Sequence, residues 1–315
     1  MGKRMMIWLG AGAVLLAGAA ALWAMRAAPV SPEAFAAAHA APSVPPEAGM
    51  RVYHLGHSLV GRDMPAMLEQ LAPAPHAYMS QLGWGTSLRE HWEPDLPING
   101  FEAENDHPRF APAREAISSG TYDAVILTEM VEIEDAIRHH ASAKYLAEWA
   151  GLARQADPGT RLYLYETWHR LDDEAGWLER LGRDLQGAWV SRLLRPAHTA
   201  DAPPIRLIPA GQVMAALVRR VEAAGGIGPM TDRTDLFRLA EDGSQDMIHP
   251  SDLGNYLVAL THYAVLYHRS PVGLPHALAR ADGSPADEPG PELARVMQET
   301  VWDVVSAMPM TGVAP

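Results

Sequence analysis

Short β-rich runs alternating with helical patterns constrain this chain more than any other feature. RVYHLG (51–56), HAYMS (76–80), YDAVILTE (122–129), RLYLYET (161–167) and RLIPAG (206–211) read as strands. YDAVILTE carries the unbroken apolar run of a strand covered on both faces, not the alternation of a half-exposed one. Helical patterns fall at 65–72, about 140–155, 176–194, 211–224 and 251–269, the last opened by Ser251 as a candidate cap. Strands alternating with helices imply a parallel sheet with helices on both sides. The expected architecture is therefore an α/β three-layer sandwich of about five parallel strands. The charged, proline- and histidine-rich stretch 89–115 is expected to lie across the mouth of that sheet.

Two segments precede the sandwich. Lys3 and Arg4 lead into an apolar run from Met5 to Met25, which Arg26 closes. A basic start followed by an apolar stretch is the charge order of an export signal, and the run approaches the length of a membrane span. Residues 1–26 are expected to act as a cleaved signal peptide or a retained membrane anchor. Either way the remainder is exported, periplasmic or extracellular, because the amino-terminal cations stay cytoplasmic. Residues 27–49 are dominated by alanine and proline with no apolar periodicity, which predicts a tether, and the folded domain is expected over 50–315.

Composition excludes several chemistries. The formal net charge of −13 disfavours nucleic acid, and membrane contact is expected only through the amino-terminal segment. With no cysteine, the chain has no disulfide, thiolate metal site or cysteine nucleophile. The sequence leaves the oligomeric state open.

In a parallel α/β sheet, sites collect beyond the carboxyl ends of the strands. Gly56-His57-Ser58-Leu59 follows the first strand and Gly83-Trp84-Gly85-Thr86-Ser87-Leu88 the second. Thr128-Glu129-Met130 ends the third, Glu166-Thr167-Trp168-His169 the fourth, and Asp246-Met247-Ile248-His249-Pro250 precedes the last helical pattern. Over about residues 50–270 this pattern resembles the SGNH (GDSL-like) hydrolases. GHSL stands where that family has its G-x-S-L nucleophile block, and DMIHP matches its D-x-x-H-P block. GTSLREHW (85–92) is similar to a bacterial branch in which Gly-x-Ser-Leu precedes a His-Trp pair. The resemblance implies a flavodoxin-like sheet and hydrolysis or transfer of acyl esters, commonly on carbohydrates or lipids.

The residue chemistry agrees. A serine hydroxyl needs a base to take its proton. His249 is the candidate base for Ser58, and Asp246 the group that orients the imidazole. A lone serine after a strand is more often a helix cap, and the conjunction of the two blocks favours catalysis. An oxyanion hole needs preorganised N–H donors, for which the Ser58 amide and Gly85 (with Gly83 as rival) are candidates. The family's third donor is usually an asparagine after the third strand, where this chain has Thr128 and Glu129. Glu129 is then protonated and donating, or aimed elsewhere, or replaced by Thr128. Pairing of Glu129 with Arg89 or Arg138 is the plainer alternative.

Trp84, Trp92 and Trp168 are candidate substrate-binding aromatics. Glu129 and Glu166, with His57, His91, His107 and His169, raise the idea of a divalent ion, but no tight ligand spacing supports it and no metal or other cofactor is expected. The expected function is an exported serine esterase acting on small acyl esters or an acylated polysaccharide. An O-acyltransferase using the same serine and a non-catalytic carbohydrate-binding relative are the alternatives.

Overall fold

A computed structural model describes residues 30–314; the signal or anchor expected over 1–26 lies outside the described residues. Five strands form the central sheet: β1 (Arg51–Leu55), β2 (Ala77–Gln81), β3 (Ala124–Leu127), β4 (Arg161–Glu166) and β5 (Arg206–Pro209). All neighbours are parallel and the order is β2-β1-β3-β4-β5, the flavodoxin-like order. The order reverses at β1, so the crevice between the carboxyl ends of β1 and β3 is where such sheets bind ligands.

Strand period two divides the interior into two cores. Val52, Ala124, Ile126, Tyr163, Tyr165 and Ile208 face one side, whereas Tyr53, Leu55, Val125, Leu127, Leu162 and Leu164 face the other. The first core is closed by α2 (Asp63–Leu71), α6 (Ala210–Ala224), α7 (Asp252–Tyr267) and α8 (Gly290–Ser306). The second is closed by α4 (Ser142–Ala156), by the helix that follows α5 (Trp177–Asp184) and widens to π geometry over Leu185–Leu194, and by α1 (Pro32–Ala40). Every residue of α7 is buried, as befits a helix packed between the sheet and other helices. Ser251 caps it, accepting from the Gly254 amide at 3.3 Å.

Three sequence expectations need correction. Within the segment expected as a tether, the described residues 30–49 are packed: Ser31 caps α1, and α1 buries Phe35 and His39, one helical turn apart. With alanine around a single aromatic, it shows no amphipathic stripe. The final helix is not 251–269 but α8, whose Leu293, Ala294, Met297, Val301 and Val305 recur at helical spacing. The D-x-x-H block, whose three-residue spacing is compatible with a loop, lies instead on a strand, β7 (Gln245–Pro250), paired antiparallel with β6 (Phe237–Leu239). The stretch 89–115 contains the end of α3 (Leu88–Trp92), a short helix at Phe101–Asn105 and the start of another at Ala113–Ser118; its Ala103, Glu104, His107, Pro108 and Arg109 border the cleft described next.

Candidate active site

Ser58 leaves β1 in a tight turn closed by the Val60 amide bonding the His57 carbonyl at 2.9 Å. It caps no helix, since α2 begins five residues later with Arg62 in the capping position. Across the crevice, Asp246 Oδ1 accepts the amides of Ile248 and His249, both at 2.9 Å. The His249 ring then lies between two partners. Its Nδ1 donates to Asp246 Oδ2 at 2.9 Å, and its Nε2 accepts from the Ser58 hydroxyl at 3.1 Å. Residues 191 positions apart thus form one hydrogen-bonded row.

Burial pushes Asp246 up, but the His249 and Ile248 amides and the His249 ring together hold it well below the usual carboxylate range. It therefore stays an anion able to fix the imidazole's tautomer. Arg238 also reaches Asp246 at 3.3 Å, from an exposed position where such a pair contributes little.

The row opens onto a cleft of about 1670 Å³ lined by Ser58, His249, Gly85 and Trp84 among others. Gly85 and Ser58 both face it, and neither amide donates to a protein acceptor among the described residues. Gly85 has φ +58, in the region that favours glycine. Gly83 is packed beneath the loop, where a Cβ would meet Thr86 Oγ1 at 2.2 Å. Of the two glycines, Gly85 borders the cleft and Gly83 does not.

Neither Thr128 nor Glu129 borders the cleft. The Thr128 hydroxyl donates to the Tyr165 carbonyl at 2.7 Å. Glu129 Oε1 accepts the Met130 amide at 2.9 Å and the Leu88 amide, the first of α3, at 3.2 Å. It pairs with neither Arg89 nor Arg138. Glu129 is a buried clamp that ties the end of β3 to the glycine loop.

Glu166 works similarly at the next strand, accepting the Gly211 amide and the Gln212 side chain, each at 2.9 Å. Three of the four histidines of the metal idea are likewise hydrogen-bonded. His57 donates to the Glu129 carbonyl at 2.9 Å and accepts the Leu59 amide, and His91 donates to the Gly56 carbonyl at 2.7 Å. His107 accepts the Arg109 amide, and His169 lies 3.3 Å from Asp184. Among the described residues no three of His, Asp and Glu gather as a metal would require.

Burial drives the Glu129 carboxyl up to about 7, against the Met130 amide, the nearby Ser142 hydroxyl and the Leu88 amide. A carboxyl harder to ionise in the folded than in the unfolded chain stabilises the fold while protonated. That contribution is complete below the free value of 4.5 and is lost as pH rises through 7. Glu129→Gln keeps the accepting oxygen and cannot ionise. Urea unfolding at successive pH values should show it gaining up to about 3 kcal/mol on the parent between pH 4.5 and 8. Parallel stability curves would show that Glu129 is not held protonated.

Of the three tryptophans, only Trp84 borders the cleft. Trp92 packs edge-on to Trp149 at 4.9 Å under the Arg114 guanidinium. Trp168 is 1% exposed, and its indole donates to the Ile248 carbonyl at 2.8 Å, bracing β7 beside His249. Sequence reasoning missed other braces. Asn105 bonds both the amide and the carbonyl of Leu82, at 3.0 and 2.8 Å, and so holds the glycine loop. Gln81 donates to His91 and accepts the Ala113 amide. Ser87 and Glu90 form a capping box at α3, a signal the S-x-x-E spacing did carry.

The site is a serine–histidine–aspartate row. No protein-family model and no curated protein sequence matches the chain. Among solved structures it is similar to a protein described as a GDSL-like lipase from Parabacteroides merdae: 15% identity, 72% of this chain and 99% of that one, TM-score 0.41. It is also similar to a carbohydrate esterase family 3 protein from Talaromyces cellulolyticus: 17% identity, 69% and 95% coverage, TM-score 0.34. Both likenesses are remote, and the chemistry of the site rests on its own geometry.

Proposed function

We propose that the chain is a serine esterase that cleaves O-acyl esters through an acyl-enzyme on Ser58. The continuous Ser58–His249–Asp246 row at the mouth of an open cleft carries this reading. As Ser58 Oγ bonds to the ester carbonyl carbon, His249 Nε2 takes the hydroxyl proton. The amides of Ser58 and Gly85 stabilise the oxyanion. The carbon–oxygen bond to the alcohol then breaks, and His249 gives the alcohol its proton. Water, deprotonated by His249, hydrolyses the acyl-Ser58 bond and restores the enzyme.

The charge order of residues 1–26 supports export, with the reaction outside the cytoplasm. A fluorophosphonate should label one serine, Ser58, as peptide mapping by mass spectrometry would show, and labelling should abolish p-nitrophenyl acetate hydrolysis. Absence of labelling in a folded, soluble sample would rule the reading out.

A further inference from the structure

Trp84 is one of few large apolar side chains left open to solvent, at 56% exposure. It is nevertheless fixed. Its amide donates to the Asn99 carbonyl at 2.7 Å and its indole N–H to Glu104 Oε1 at 2.8 Å. One face of the indole rests on Gly100, where a Cβ would come within 2.2 Å of the ring, and Gly100 has φ +68. That glycine also opens the short helix bearing Glu104. The ring lines the cleft, one residue before the oxyanion candidate Gly85.

The neighbours of this ring are polar. Arg62, Glu104 and His107 line the same part of the cleft. The Arg62 guanidinium donates to the Ala103 carbonyl and has no carboxylate partner among the described residues. An alkyl chain laid on Trp84 would remove these groups from water without pairing them, a cost of several kcal/mol by transfer scales. A pyranose has the matching chemistry. Its axial C–H face covers an aromatic ring, and its rim of hydroxyls donates to a carboxylate and accepts from a guanidinium. A cleft of about 1670 Å³ also exceeds what a short acyl group needs.

The geometry points to a saccharide subsite in which Trp84 is the stacking platform and Arg62 and Glu104 are the hydrogen-bonding rim. It takes the sugar that forms the alcohol side of the scissile ester. This inference rests on the esterase reading and supplies its substrate class. The sugar departs from Trp84 as the alcohol while the acyl group stays on Ser58.

The test compares kcat/KM for O-acetylated oligosaccharides of xylose, glucose and N-acetylglucosamine with that for ethyl acetate, which cannot stack. The wild-type chain should prefer at least one of the sugars. Trp84→Ala should lower that preference about tenfold, and Trp84→Phe, which keeps a flat face, about threefold or less. 1-Naphthyl acetate and p-nitrophenyl esters of rising chain length run in parallel. A loss in Trp84→Ala as large for the naphthyl ester, or a change confined to chain length, would assign Trp84 to an aromatic alcohol or the acyl group and overturn the proposal. So would a wild-type enzyme that favours none of the sugars. If no ester is turned over at all, the esterase reading fails instead. Calorimetric titration of Ser58→Ala with the deacetylated oligosaccharides then judges the subsite alone, and absence of heat from all three overturns it.

Discussion

Ser58→Ala and His249→Ala should each lower turnover of p-nitrophenyl acetate by about 10⁴-fold or more, and the double variant should lose little beyond either one. The non-additivity follows from the 3.1 Å contact between the two side chains. Without the imidazole the hydroxyl keeps its proton, and without the hydroxyl the imidazole has no proton to take. Asp246→Ala should lose less, because the imidazole is still there to take the proton although its tautomer and orientation are no longer held. Circular dichroism should show native spectra for the serine variant, whose side chain sits in the open cleft. Multiplicative losses in the double variant would mean that the two residues act in separate steps.

A chain beginning at Met50 should be less stable than one beginning at Val30 by about 3 kcal/mol or more. Truncation exposes the pocket of Phe35, a side chain whose burial contributes about 1.5–3 kcal/mol. It also strips acceptors from Arg206, whose guanidinium is buried and donates to the carbonyls of His39 and Ala41 at 3.3 and 2.8 Å. A buried donor left unpaired costs about 1–3 kcal/mol. The Ser43 amide contact to Gly312 and the Arg161 contact to the Val44 carbonyl go as well. Urea denaturation of the two chains measures the difference, and Phe35→Ala in the longer one should reproduce much of it. Equal midpoints and slopes would show that α1 contributes nothing.

Much of this architecture was legible in one dimension because its cause is local. Each of the five strands lies within a residue or two of its apolar run, since a strand buried on both faces leaves little room for polar residues. The row of Ser58, His249 and Asp246 was legible as two blocks, because a G-x-S-L after β1 and a D-x-x-H before a helix each have a local signature. The helix α8 carried its spacing too, hidden behind a proline- and glycine-rich approach.

What the sequence could not carry was direction. Thr128 and Glu129 stand beside the crevice in sequence, yet their polar atoms turn to Tyr165 and to Leu88, residues supplied by other elements. Trp84, Trp92 and Trp168 look equivalent as letters. Only the packed fold leaves the first open on Gly100, wedges the second against Trp149 and sets the third to brace β7. The amino-terminal segment makes the same point in reverse, because its helix is anchored by Arg206 and Ile205 from β5 and its approach. Residue type and period determined the layers and the reacting groups; which groups face the cleft was decided by partners distant in sequence, since a buried polar atom turns to whatever donor or acceptor the fold brings near.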